Sequence, residues 1–257
     1  MKYNEIICGD CINIMRKFSD NCVDMVLTSP PYDGLRSYDR GPLGFDFDEI
    51  ARQLYRVVKP GRVVVWVVAD ATVGGSETGT SFSQALFFKK LGFHLHDTMI
   101  FLKKNPIPQI YRQRYRNEFE YMFVFSKGPV LVHNPLMEDC LHAGLELTGT
   151  TYKNYSKHEQ KREKLASPVK KQKICGNVWS YVVGKNAADQ EAKGHPAPFP
   201  CALARDHILS WSNPGEIILD PMCGSGTTCK VAKQLDRSFV GVDINGVYCE
   251  IARGRVE

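Results

Sequence analysis

No apolar run in this 257-residue chain is long enough to cross a bilayer, and its first residues lack the apolar core of a signal peptide. These absences predict a cytoplasmic protein without a membrane partner. Its cysteines do not come in metal-binding groups. Of nine, Cys8 and Cys11 form a lone C-x-x-C with no second pair and no clustered histidine, so no metal site is expected. Several others lie in apolar stretches or beside a glycine loop and read as small buried hydrophobes in a reducing compartment. No Gly-Lys-Ser or Gly-Lys-Thr follows that glycine loop, which excludes a phosphate-binding P-loop. No internal repeat is present.

What is there suits one α/β domain with an insertion. At 43% apolar residues the chain can bury a sizeable core, and its net charge of +5 suits a polyanionic partner. Strands are expected at residues 5–8, 23–27, 62–69, 97–102, 119–125, 217–220 and 238–243. Helices are expected at 11–18, from Asp48 until Lys59-Pro60-Gly61 stops it, at 82–91 and at 229–235. The strands at 97–102 and 119–125 read as an antiparallel pair at the sheet edge, and 72–80 as a flexible glycine loop. Periodicity disappears between about 128 and 194. The chain therefore divides into 1–127, an irregular insertion at 128–194, and 195–257.

Two motifs carry chemistry. The first is Thr28-Ser29-Pro30-Pro31-Tyr32, after the apolar run Val23 to Leu27. Two prolines fix φ twice and remove two N–H donors, so the backbone leaves the sheet as a stiff extended turn with an aromatic ring beyond it. That is a cradle for a flat polar ring bearing an amino group. The second is Asp220-Pro221-Met222-Cys223-Gly224-Ser225-Gly226-Thr227-Thr228, between a strand and a helix. Glycines there let backbone approach a ligand closely at a helix N-terminus. The next strand ends at Asp243, nineteen residues after Gly224, the spacing at which an acid grips ribose hydroxyls.

On these residues the chain resembles, over nearly its whole length, the amino-group DNA methyltransferases that use S-adenosylmethionine. Thr28 to Tyr32 resembles their catalytic motif, and Asp220 to Thr228 their cofactor loop, with Met222 where Phe is usual. Catalytic motif first and cofactor motif last is the permuted order of the family's β group. His195-Pro196-Ala197-Pro198-Phe199-Pro200 is similar to the segment that precedes the cofactor loop. The resemblance implies a Rossmann-like fold with a mostly parallel sheet, helices on both faces and a target-recognition insertion. It also implies a bacterial, archaeal or phage source.

The roles follow from residue types within that resemblance. An exocyclic ring amine is a poor nucleophile, so two acceptors must hold its N–H groups and aim its lone pair; Ser29 Oγ and the Pro30 carbonyl are the candidates. Tyr32 would stack on a base flipped out of duplex DNA. Gly224 to Gly226 would lie along the methionine part of the cofactor, with Thr227 and Thr228 on its carboxylate and Asp220 on its amino group. Asp243, with Ile244 beside it, would take the ribose. Asp10 is either a contact to the adenine amine or a helix N-cap before Cys11. His195 either fixes a loop beside the methionine moiety or caps a turn.

Between Thr151 and Lys173 stand eight basic residues, Lys153, Lys157, Lys161, Arg162, Lys164, Lys170, Lys171 and Lys173, against Glu159 and Glu163, for a charge of +6. With Arg36 and Arg40 they are the expected phosphate contacts. Serine before Pro-Pro-Tyr, and the His-Pro-Ala-x-Phe-Pro segment, resemble the versions in the family's cytosine N4 group, which implies cytosine N4 as the target, with adenine N6 as the alternative. A non-catalytic nucleic-acid-binding relative, or action on RNA or a small molecule, are the other classes. A homodimer and a separately acting restriction endonuclease remain open as partners.

Overall fold

The computed structural model describes residues 2–31, 45–106, 113–144, 150–156, 159–164, 169–184 and 200–257. In chain order they form β1 (Glu5–Cys8), α1 (Cys11–Met15), β2 (Val23–Thr28), α2 (Phe47–Val57), β3 (Val58–Val68), β4 (Thr72–Val73), β5 (Ser76–Glu77), α3 (Thr80–Leu91), β6 (His94–Lys103) and β7 (Phe119–Ser126). These are followed by β8 (Met137–Asp139), β9 (Thr150–Ser156), β10 (Glu159–Lys164), β11 (Gln172–Ile174), β12 (Val178–Tyr181), α4 (Cys201–Trp211), β13 (Ile217–Asp220), α5 (Thr227–Gln234), β14 (Ser238–Asp243) and α6 (Gly246–Val256). The chain divides into two compact units, Met1–Asn134 with Asn177–Glu257, and Pro135–Gly176.

The first unit is built on an eight-stranded sheet in the order β1-β14-β13-β2-β3-β7-β6-β12. Only β7 runs against its neighbours; every other adjacent pair is parallel. A parallel sheet must be covered on both faces, and β3 shows how one strand serves two cores. Val63, Val65 and Val67 pack with α4, α5 and α6 through Leu203, Ile208, Val231 and Ala252. Val64, Trp66 and Val68 pack with α1, α2 and α3 through Met15, Leu54 and Phe88. The period-two alternation thus divides a run of apolar residues between two layers of helices. This is the Rossmann-like architecture.

From β2 the chain moves to β3 on one side, and from β13 to β14 on the other. The order reverses between β2 and β13, and a crevice at such a reversal, beyond the carboxyl ends of the strands, is where open α/β sheets bind ligands. At their opposite ends the central strands are locked by charge. Asp24, buried in β2, accepts from Lys59 Nζ at 2.8 Å and from the Ile217 amide at 3.0 Å. Arg62 forks onto Glu216.

Several expectations are corrected. Lys59-Pro60-Gly61 does not precede the strand; it lies within β3. The register slips between Val23 and Met25, so the residues form a bulge, and Gly61 takes φ +75°. Helix α2 starts at Phe47, because Asp46 caps it by accepting from the Glu49 amide at 3.0 Å. The loop at 72–80 contains the small β4–β5 hairpin, turned by Gly74 and Gly75 at φ +57° and +83°. The sheet edge is β12 rather than the β6–β7 pair, so part of the segment expected as insertion joins the main sheet. In the second unit β8 pairs with β11 and β9 with β10, both antiparallel.

Trp66 is fully buried, and its indole N–H donates to Gln84 Oε1 at 2.8 Å. Replacing Gln84 with Met keeps the volume and strands that donor. We expect a loss of about 1–3 kcal/mol in urea unfolding; an unchanged midpoint would show that the bond contributes nothing.

Candidate active site

The two motifs meet at the reversal between β2 and β13. Leu219 pairs with Val26, so Asp220 stands level with Leu27, one residue short of Thr28. Thr28 Oγ1 donates to Asp220 Oδ1 at 2.8 Å across 192 residues of chain. The same oxygen accepts from the Met222 amide at 3.2 Å. Thr228, in the first turn of α5, adds its hydroxyl to the Asp220 carboxylate and lies 3.5 Å from the Leu27 carbonyl. Thr28, Asp220 and Thr228 are all at most 5% exposed. A set of buried hydrogen bonds therefore ties the root of the proline turn to the root of the glycine loop.

Ser29 and Pro31 are half-buried and Pro30 is buried just past that tie. The extended turn thus leaves the sheet at the crevice, with Ser29 the first residue beyond β2. Tyr32, Arg36, Arg40 and His195 with its segment to Phe199 lie outside the described residues, as does Lys157.

The glycine loop is shaped by three fixings. Gly224 and Gly226 take φ +50° and +77°, and the Gly226 amide closes a turn onto the Cys223 carbonyl at 2.7 Å. The Cys223 amide bonds to the Val242 carbonyl of β14 at 2.8 Å. Arg255, buried in α6, donates from Nη1 to the Ser225 carbonyl and to Ser225 Oγ and Thr227 Oγ1, the latter two at 3.1 Å. A methyl group on Gly226 would lie 2.7 Å from Ala252 Cβ, so only glycine lets α5 and α6 pack this closely. Pro221 is buried and half-buried Met222 packs into the core on the α1–α3 side.

The Thr228 hydroxyl donates within the protein, whereas the Ser225 and Thr227 hydroxyls accept from Arg255 and keep their O–H protons for a ligand. The loop also offers backbone: the first amides of a helix have no partners inside it and favour a negative group. Asp243 ends β14 half-buried. Its Oδ2 accepts from the Gly224 amide and its Oδ1 from the Asn245 amide, both at 2.8 Å. Each oxygen keeps a lone pair for a hydroxyl donor, and burial raises the Asp243 pKa. Ile244 beside it is 73% exposed. Asp10 caps α1 by accepting from the Asn13 amide at 2.8 Å, while the Gly9 amide bonds to the Asp243 carbonyl, so Asp10 also stands at this end of the sheet.

A carboxylate for two hydroxyls, an exposed aliphatic side chain for a ring face, and a glycine turn at a helix N-terminus fit a nucleoside carrying an amino-acid tail. Sequence reasoning missed Thr28 as a tie, Asn245 and Arg255. Asn245 two residues past an acid and just before a helix carries an N-cap signal. Nothing local marks Arg255, which finds its partners only through packing of α6 on α5.

In the second unit Lys170, Lys171 and Lys173 are exposed, and Lys173 pairs with Glu138 at 3.0 Å. Lys153 lies directly opposite Lys161, and Tyr152 opposite Arg162, in the β9–β10 register. Among the described residues no group of three or more His, Cys, Asp or Glu could hold a metal ion. No described helix is long and apolar enough to cross a membrane.

A family model described as DNA methylase, N6_N4_Mtase, matches residues 23–254. Orphan methyltransferase M.BamHII of Bacillus amyloliquefaciens is 46% identical over 242 residues, 93% of this chain and 90% of that one. Type II methyltransferase M.BglII of Bacillus subtilis is 28% identical over 97% of this chain and 68% of its own length. Among solved structures, the cytosine-N4-specific PvuII DNA methyltransferase has a TM-score of 0.73 at 18% identity, over 97% of this chain and 85% of that one. A DNA modification methylase of Thermus thermophilus, solved in complex with S-adenosylmethionine, has a TM-score of 0.64 at 22% identity, over 98% and 94%. At these identities the structural likeness speaks for the fold.

Burial pushes the Asp220 pKa up from 3.8 to about 6, against the Thr228, Thr28 and Met222 hydrogen bonds that lower it. An acid whose folded pKa exceeds its unfolded value holds its proton more tightly when folded. The fold is therefore helped as pH falls from 6 towards 3.8, and bears a cost of about 3 kcal/mol above that window. Asp220→Asn should consequently unfold at higher denaturant concentration than the parent at pH 8, and the gain should shrink as pH falls below about 6 and be gone by about pH 4. A gain independent of pH would contradict this.

Proposed function

Because the chain belongs to the amino-group DNA methylase family, we propose that it methylates the exocyclic N4 amine of a cytosine at a short fixed sequence in duplex DNA. Its cofactor is S-adenosylmethionine, which when bound supplies an electrophilic methyl on a sulfonium. The observation that carries the proposal is the Thr28–Asp220 junction, which sets the Ser29-Pro30 turn beside the glycine loop.

The chain's own residues contribute position more than acid–base strength. Ser29 Oγ and the Pro30 carbonyl accept the two amine N–H groups, which turns the nitrogen lone pair toward the methyl. Tyr32 stacks on the flipped base. No strong base is needed beforehand, since the amine becomes acidic only as it gains the methyl; Ser29 then passes the proton to water. Asp243 accepts from the ribose hydroxyls, Gly224 to Gly226 face the methionine part, and the amides of the α5 N-terminus face its carboxylate.

Serine at position 29 supports cytosine, since an aspartate there is commoner in the adenine enzymes, and the His195 segment points the same way. The basic second unit supports a DNA partner. The segment from Thr151 to Lys173 carries a net charge of +6, and release of counterions from phosphates is the use such a charge has on DNA. Arg36, Arg40, Lys153, Lys157, Lys161, Arg162, Lys170, Lys171 and exposed Lys173 are the proposed phosphate contacts. A cognate restriction endonuclease would be a separate protein that cuts the same sequence when it is unmethylated; the M.BamHII relative carries the name orphan.

Nucleoside mass spectrometry of DNA from a host expressing the protein is expected to show N4-methylcytosine; N6-methyladenine alone would overturn the base assignment. Ser29→Ala should cut turnover about 100-fold with cofactor affinity kept. Asp243→Ala should raise the cofactor dissociation constant about 10–100-fold, as expected for a lost charge-assisted contact. Unchanged affinity in calorimetry would remove the ribose role.

A further inference from the structure

Asp220 is the residue of the cofactor motif whose surroundings least resemble a ligand site. It is 5% exposed. Its Oδ1 holds the Thr28 hydroxyl and the Met222 amide, and Thr228 completes the set. Thr28 in turn is the last residue of β2 and is covalently joined to Ser29, so its side chain anchors the chain immediately before the proline turn. The Thr228 hydroxyl reaches the Leu27 carbonyl, one residue further back. Loop and turn therefore share no covalent neighbour yet are held by one carboxylate.

We infer that Asp220 is a positioning residue for the base cradle, acting through Thr28, and is not a ligand of the cofactor's amino group. The inference rests on the functional reading above. Its physical basis is that the sulfonium methyl and the amine must meet in line, and an error of about 1 Å costs about 100-fold in rate. A cofactor loop and a cradle on separate segments need a mechanical link, and a buried hydrogen bond between their roots is a short one. Loss of that bond shifts Ser29 and Pro30 relative to the loop while leaving the loop's own amides and Asp243 in place.

The test uses four full-length proteins: wild type, Thr28→Val, Thr28→Ser and Asp220→Asn. S-adenosylmethionine affinity is read by calorimetry, and turnover on duplex DNA at saturating cofactor. Thr28→Val removes only the hydroxyl and should lower kcat about 10–100-fold with the cofactor dissociation constant within about twofold of wild type. Thr28→Ser restores the donor and should recover most of the loss. Asp220→Asn keeps an Oδ1 acceptor, so cofactor affinity should again stay within about twofold. Were Asp220 a ligand of the ammonium group, Asp220→Asn would weaken cofactor binding tenfold or more, about 1.4 kcal/mol, with Thr28→Val without effect on kcat; that pattern overturns the inference. If Thr28→Val does not fold, the cofactor affinity of Asp220→Asn decides alone. A wild-type protein that binds cofactor but methylates no duplex DNA removes the functional reading and this assignment together, and is identified before any variant is compared.

Discussion

A single buried carboxylate holds the two halves of the site at one spot. Strands β2 and β13 pair side by side, but backbone pairing alone only fixes their register; the turns that leave them are free to diverge. Asp220 prevents that by accepting from the β2 terminus and from its own loop with the same oxygen. The arrangement has a cost, visible in the raised Asp220 pKa, and burial is its cause.

The rest of the site is organised around that junction by backbone. Positive φ at Gly224 and Gly226, the Cys223–Val242 bond and the Arg255 fork shape the loop without any exposed side chain. Asp243 has two tasks: it fixes Gly224 and keeps lone pairs facing outwards. Rigid amides and one prepared carboxylate suit a reaction whose barrier is lowered mainly by alignment.

Much of this architecture is legible in the amino-acid sequence. The apolar strands, the proline turn, the glycine loop and the nineteen-residue interval to Asp243 all depend on local sequence, and each lies where local rules put it. The glycine loop precedes a helix and Asp243 closes a strand, as spacing demands. What stays illegible depends on distant neighbours. Nothing near Thr28 announces a partner 192 residues away. Arg255 looks like any basic residue at a helix end until α6 packs. The Lys59-Pro60-Gly61 stretch follows the end of α2 as a stop should, yet its place beside β2 draws it into β3 as a bulge. Strand β12 is four residues long and alternates weakly, so only a neighbour's unpaired edge makes it a strand.

The charged lock at the far end of the sheet has a quieter consequence. Asp24, Lys59, Arg62 and Glu216 fasten the central strands where no chemistry occurs, so the loops at the reactive rim are relieved of structural duty. Segments there can lengthen, shorten or be exchanged while the sheet stays buckled from below. A scaffold divided in this way can acquire new sequence preferences by swapping what hangs from its rim, leaving the fold itself out of the negotiation.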